Sequence, residues 1–539
     1  MSNFGIAHYH IDLNATLPES PATIDWRKGL LLFLAVLALS VPQAALLPLL
    51  DRDEPRFAEA SREMLQSGNF IVPTFNHAPR YAKPPLIYWC QAISYLVFGE
   101  NAFAARLPSL LATAATACLL MTWGTRLGSE QMGLGAALSY AFCFQTIQQG
   151  RVATADALLI FFMTLTAFTG WLIFRPKTPG CPRRVCFVVL AIGVAGGFLA
   201  KGPEALIPIL PLFWCARGAG RNIILGLIAS FFIGLALVLL WAIPAYIQTH
   251  GDYWRQGLSE GVGQRMVGGL QGHGASSTLG YLLGVLLYYP LFFLLGALPV
   301  WPLLLIHRKK IFDGWRLDLA DTYLLLNAAL IILVFSLMVT KLPHYTLPAF
   351  PFLALLFARR RWSVGFSPGL LTELGWVSAI IFFLLAFVGI PIALVSHATP
   401  SPVGELVRQA GNALTPETNC SAAGYLEPNV VWEFRRVSNK FVTVVSQDAI
   451  YETLDQPGPQ AMILPTVAWK ARVGSTGIHP APEKKDIFPL QPNLFPPSSP
   501  PPLNAKEDNT FPSSWKIFEA RGFNAAKGRF IDLTLVVKP

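Results

Sequence analysis

Four carboxylates crowd into one short stretch, Asp53-Glu54-Pro55-Arg56-Phe57-Ala58-Glu59-Ala60-Ser61-Arg62-Glu63. Pro55 suits the first position of a helix, which predicts Glu54 as the N-cap with Asp53 just before it. Glu59, Arg62 and Glu63 then follow at helical spacing and can pair along one face; that pattern predicts a capped helix lying at an interface, with ion pairs on its surface. Asp53 and Glu54 ask for more. Adjacent carboxylates repel, and a second one adds little as a cap. A helix N-terminus favours their ionised forms, which suits a metal ligand, a group that orients a nucleophile, or a base.

The second chemical stretch is Arg80-Tyr81-Ala82-Lys83-Pro84-Pro85. Proline restricts the residue before it to extended backbone, so Lys83 is presented from a stiff loop. A lone lysine here would touch lipid headgroups. In the same loop as a carboxylate cluster it becomes a candidate phosphate binder, because a compact ammonium meets a phosphate as a point charge. Arg151 and Asp156 open a later apolar run. Lys201, Glu204, Arg255, Arg265, His273, Lys341, His344 and Tyr345 fall between other such runs.

Those runs are the elements that must position the chemistry. The chain has 539 residues, 53% hydrophobic and only 13% charged, where ordinary soluble domains carry roughly 25% charged residues. About eleven stretches are apolar enough to span a bilayer: near 29–50, 103–125, 131–149, 157–174, 185–200, 204–216, 222–247, 278–306, 320–340, 346–358 and 370–395. The net charge of +10 sits in short basic clusters between these spans, which argues for the positive-inside rule and against a nucleic-acid partner. Placing residues 1–28 in the cytoplasm brings Arg27 and Lys28, Arg126, Arg217 and Arg221, Arg308–Lys310 and Arg359–Arg361 inside together. The N-terminus is then inside and the C-terminus outside. The loops 51–102 and 248–277 face outward, as does a polar tail over 396–539. Strand-like runs at 441–445 and 533–537 predict a small α/β domain in that tail, with a Pro-rich insert over 480–512. The transmembrane part is expected over 29–395.

Transporters place their sites near the midplane, on broken helices within repeats. Here the ionisable residues gather at one surface, and the middles of the spans offer little beyond Gln145 and Asn327. Surface chemistry is favoured over a flippase that moves a lipid-linked sugar or glycolipid, and over a scaffold that uses the tail to bind partners. The seven cysteines form no CxxC or metal-ligand spacing.

Together, Asp53-Glu54-Pro-Arg-Phe-Ala-Glu, Tyr81-Ala-Lys-Pro-Pro, Arg151 with Asp156, and Lys341-Leu-Pro-His-Tyr-Thr-Leu-Pro resemble the membrane glycosyltransferases of the aminoarabinose-transferase and protein-mannosyltransferase group. The tail segments Gly424-Tyr-Leu-Glu-Pro-Asn-Val-Val and Gly522-Phe-Asn-Ala-Ala-Lys-Gly-Arg resemble the aminoarabinose branch. The resemblance implies a GT-C fold in a bacterial inner membrane with an active site facing the periplasm. It implies transfer of a sugar from a polyprenyl (undecaprenyl) phosphate to a periplasmic acceptor, by a single inverting displacement. The leading specific pair is 4-amino-4-deoxy-L-arabinose onto lipid A.

A phosphate leaves as a weak base, so the protein has only to neutralise its charge and orient the acceptor. In that scheme Lys83, Arg265 and Lys341 hold the phosphate with Tyr345. Asp53 with Glu54 orients or deprotonates the attacking group, and Asp156 either holds Arg151 or faces the sugar. Arg56, Glu59, Tyr81 and Arg151 support them. Relatives commonly carry Glu where this chain has Ala82, and that Glu is associated with a metal site. A divalent metal ion therefore stays an open question. Asp53 and Lys83 are expected to share one pocket.

Overall fold

The computed structural model describes residues 25–50, 53–174, 182–258, 288–299, 302, 306–315, 317–338, 341–367, 369–389, 392, 401–473, 514–524 and 529–539. Arg265, most of the loop 248–277, the residues before 25 and the Pro-rich insert lie outside them. By contact the chain forms two compact units. One holds residues 1–42, 82–86 and 108–384; the other holds 43–81, 87–107 and 385–539.

The first unit is a helical bundle. Seven helices among the described residues are long and apolar enough to cross a membrane: α1 (Trp26–Leu46), α4 (Ala102–Leu127), α7 (Asp156–Phe174), α8 (Arg183–Lys201), and those at Arg221–Gln248, Leu319–Leu337 and Gly369–Gly389. Helix Arg221–Gln248 leaves large apolar side chains such as Leu240 (74% exposed) and Ile247 (66%) uncovered, as a lipid-facing helix would. Small residues set the close approaches. A Cβ on Gly124 of α4 would fall 2.5 Å from the backbone of Gly133 in α5 (Glu130–Ala141), the small-against-small packing common within bilayers.

Two expected spans take a different form. The run 131–149 breaks at Phe142 and Cys143 into α5 and a short α6, Phe144–Gln149. The run 204–216 is a 3-10 turn over Pro203–Leu206 followed by the seven-residue helix Ile209–Cys215; Pro203 and Pro208 supply no backbone donors to extend it.

The second unit contains the tail and the stretch that carries the carboxylates. Its sheet runs β4-β3-β5-β7-β6, from Thr443–Val445, Asn419–Ala423, Gln460–Pro465, Arg529–Lys538 and Lys516–Asn524. β4, β3 and β5 are parallel, while β7 and β6 are antiparallel. The central strands β3, β5 and β7 are buried on both faces, and the edge strands β4 and β6 are more exposed. Cys420, Ala422, Ile463, Leu535 and Val537 pack with Val403, Leu406 and Phe434; Ala423, Met462, Leu464 and Val536 pack with Ile450, Leu454 and Trp469. This is the period-2 division of a sheet covered on both sides.

Helix α2 (Asp53–Ser67) belongs to this unit. Two acids in its first turn suit the dipole, and Gly68, at φ +69°, ends it. A two-residue hairpin follows, β1 (Thr74–Phe75) to β2 (Ala78–Pro79). Asn76 and His77 both take positive φ at its tip, as a type I′ turn requires. Phe75 is inserted into the tail core. Then α3 (Leu86–Phe98) packs back on α2: the Tyr95 hydroxyl donates to the Ala58 carbonyl at 3.1 Å, and the Ser61 hydroxyl donates to Gln91 Oε1 at 2.6 Å. The sequence alone grouped this stretch with the membrane part.

Candidate active site

The carboxylates of α2 have unlike surroundings. Helix α2 begins at Asp53, so Glu54 is inside the first turn and is not the N-cap that Pro55 predicted. Its carboxylate is 2% exposed. It accepts from Arg106 Nε and Nη2, both at 2.7 Å, and from the Leu50 amide at 2.8 Å. Arg106 also donates to the carbonyls of Ala44, Leu47 and Pro48 at 3.0, 2.6 and 2.8 Å. It thereby ties the end of α1 to the start of α2. A bidentate guanidinium is the geometry best suited to holding a buried carboxylate.

Glu59, Arg62 and Glu63 are buried rather than displayed on a surface. Glu59 is paired with Arg62 and accepts from Arg435 Nε at 3.0 Å. Burial pushes the Glu59 carboxyl up to about 7, opposed by the attraction of Arg62 and Arg435. Glu63 receives the Thr74 hydroxyl at 2.6 Å and the amides of Asn76 and His77 at 2.6 and 3.2 Å. It holds the hairpin rather than the adjacent Arg62, which pairs with Glu59.

Asp53 differs from all three. Among the described residues it has no hydrogen-bond or ion-pair partner, and its side chain is exposed. Its charge is felt by the buried phenol of Tyr88, which accepts from Arg80 Nε at 3.1 Å. The Arg80 guanidinium lies 5.2 Å from the Phe57 ring, and Phe57 stacks on Tyr88 at 5.5 Å. Asp53 therefore stands at the open end of a helix whose flanks are fixed by packing.

In the bundle unit, Asp156 begins α7 and Lys201 ends α8. Lys201 Nζ lies 2.6 Å from Asp156 Oδ1 and 3.7 Å from Glu204, and 5.2 Å from the centre of the Tyr345 ring. The Thr154 hydroxyl donates to Asp156 Oδ2 at 2.9 Å. The cation that Asp156 holds is thus Lys201. Arg151 turns back on α6 and donates to the Ile147 carbonyl at 3.0 Å and to Gln148 at 3.1 Å. Lys341 donates to the carbonyls of Ser336 and Met338 at 2.8 and 2.6 Å, where helix Leu319–Leu337 ends. Burial pushes its ammonium below the ordinary lysine value. The Lys83 carbonyl accepts from the Tyr253 hydroxyl at 2.6 Å, and Tyr345 is 4% exposed against Phe335 and His344. Arg56, Tyr81 and Lys83 are partly exposed.

Asp53 is in one unit and Lys83 in the other. Arg106 and Arg435 were not singled out from the sequence, and Lys201 was noted between apolar runs without a role or a partner. Arg106 alone carried a signal, a cation one turn inside an apolar span, since such a residue is costly without a partner. Among the described residues no group of three His, Cys, Asp or Glu side chains is placed to hold a metal ion.

The backbone arrangement has known counterparts. ArnT from Cupriavidus metallidurans, crystallised bound to undecaprenyl phosphate, superposes with a TM-score of 0.66 over 84% of this chain and 96% of that one, at 17% identity. This is an ArnT-like GT-C fold. The GT-C chain also matches the model of the dolichyl-phosphate-mannose-protein mannosyltransferase family over residues 26–249. Its similar sequences include undecaprenyl phosphate-alpha-4-amino-4-deoxy-L-arabinose arabinosyl transferases. That of Edwardsiella ictaluri is 33% identical over 57% of this chain and 54% of its own length; that of Enterobacter sp. is 27% identical over 64% and 62%. The matched stretch covers less than two thirds of either relative.

Proposed function

We propose that this protein is a membrane glycosyltransferase that takes a sugar from an undecaprenyl-phosphate donor and delivers it to a periplasmic acceptor, with 4-amino-4-deoxy-L-arabinose and lipid A the best-supported pair. In this reading Lys83, Arg265, Lys341 and Tyr345 serve the donor phosphate, and Asp53 serves the attacking group. An attacking phosphate oxygen on lipid A needs no base, and Asp53 then acts through orientation and field. An attacking hydroxyl would gain about 10²- to 10⁴-fold from Asp53 as general base. Asp156 faces the sugar from its Lys201 pair. The outer loops face the periplasm by the basic clusters on the opposite side.

The observation that carries the proposal is the open Asp53. Of the four carboxylates on α2, it alone has no pairing partner among the described residues, in a fold shared with an undecaprenyl-phosphate-bound relative. The test is turnover by the purified full chain in detergent, where no transport is possible. Supplied with undecaprenyl phosphate aminoarabinose and lipid A, the protein should release undecaprenyl phosphate and modified lipid A in equal amounts. A folded protein that leaves both unchanged refutes the proposal.

A further inference from the structure

Helix α2 is gripped at two further places by the tail. In the first, Arg435, the last residue of helix Pro428–Arg435, donates to Glu59 at 3.0 Å and to Gln66 at 2.7 Å. Glu59 also binds Arg62, whose guanidinium donates to the Trp432 carbonyl at 3.1 Å and lies 4.3 Å from the Trp432 ring. Both arginines and the carboxylate are nine-tenths or more buried. Three residues of α2, Glu59, Arg62 and Gln66, are therefore locked to two residues of one tail helix.

The second grip is the hairpin tip. Asn76 Nδ2 donates to the Val442 carbonyl at 2.8 Å, and the Val442 amide donates back to Asn76 Oδ1 at 2.9 Å. An asparagine side chain here pairs with backbone as a neighbouring strand would. His77 rests 5.0 Å from the Phe441 ring, and Arg435 lies 4.2 Å from the same ring. The two grips thus meet at Phe441. Glu63 joins the hairpin to α2 through Thr74, Asn76 and His77, so the tip and the helix move as one piece.

Asp53 is six residues before Glu59 on this helix, about 9 Å along its axis. Displacing the locked segment displaces the carboxylate. We propose that Arg435 and Asn76 are positioning residues for sugar transfer, so that the tail domain is a working part of the active site through its hold on α2. This rests on the role proposed above for Asp53. Misplacement of a reacting group by about 1 Å costs roughly 100-fold in rate, while the affinity of cations on the other unit for the donor phosphate has no reason to change.

The experiment uses the full chain in detergent and measures kcat, the KM for undecaprenyl phosphate aminoarabinose, and the thermal midpoint. Arg435→Ala should lower kcat roughly 100-fold with the donor KM unchanged. Arg435→Lys keeps the charge and loses the fork, and should recover part of that loss. Asn76→Ala should give a smaller fall in kcat alone. The inference is overturned if folded Arg435→Lys and Asn76→Ala both turn over at the wild-type rate while Asp53→Asn is inactive. An active Asp53→Asn would instead remove the role of Asp53 itself. If Arg435→Ala does not fold, the other two variants decide.

Discussion

The two clusters, one on α2 and one between α7 and α8, contain the same ingredients and arrange them differently. At α7, Asp156 is held by Lys201 and Thr154, with Glu204 and the Tyr345 ring beside the same ammonium. On α2, Glu54, Glu59 and Glu63 are each taken up by a buried partner, and among the described residues only Asp53 has none. A buried charge with a full set of partners fixes architecture, since removing either partner strands the other. A charge at an open helix end is available to a substrate. In the function proposed above, α2 acts through its least-attached acid, and the α7 cluster through a group whose orientation is already set.

Removing one partner from each cluster separates an anchored carboxylate from an open one. Arg106→Ala strands Glu54 and three carbonyls, and should cost about 3–5 kcal/mol of stability; a folded yield and thermal midpoint equal to wild type would show that Glu54 is not anchored as described. Lys201→Ala should destabilise the bundle unit less, because Thr154 still donates to Asp156, and adding Asp156→Asn should restore part of the midpoint. Additive losses in that pair would argue against a shared ion pair.

A smaller effect is readable from pH. Glu59 is surrounded by Arg62 and Glu63 on its own helix and Arg435 on the tail helix; Glu100 and Glu433 are near Arg62. With its carboxyl raised to about 7, the folded protein keeps a proton that the unfolded chain has released. Its contribution to stability is therefore present at low pH and is lost as pH rises from the ordinary carboxyl range of about 4.3 to about 7. The midpoint of wild type relative to Glu59→Gln should fall across that window and level off above it. A constant difference would contradict the shift. Smallest of all, Arg408→Ala removes an exposed pair with Glu405 and should change stability by less than about 1 kcal/mol.

Much of the bundle was legible because a helix long and apolar enough to cross a bilayer writes itself as an uninterrupted apolar run, whether it faces lipid or protein. The run 157–174 is the helix Asp156–Phe174, 185–200 is Arg183–Lys201, and 222–247 is Arg221–Gln248. The site was legible only as residue types. Spacing reveals partners one turn apart, such as Arg62 for Glu59. It is blind to Arg106 for Glu54, to Lys201 for Asp156, and to Arg435 for Glu59, which are 52, 45 and 376 residues apart. It likewise could not show that Phe75 enters the tail core.

Sugar transfer by this protein, as proposed, turns on the Asp53 carboxylate. The most direct measurement is the rate at which the purified Asp53→Asn protein transfers aminoarabinose from undecaprenyl phosphate to lipid A, with the thermal midpoint recorded on the same sample. The account predicts an unchanged midpoint and transfer reduced to background. Transfer near the wild-type rate by a folded Asp53→Asn protein would contradict it.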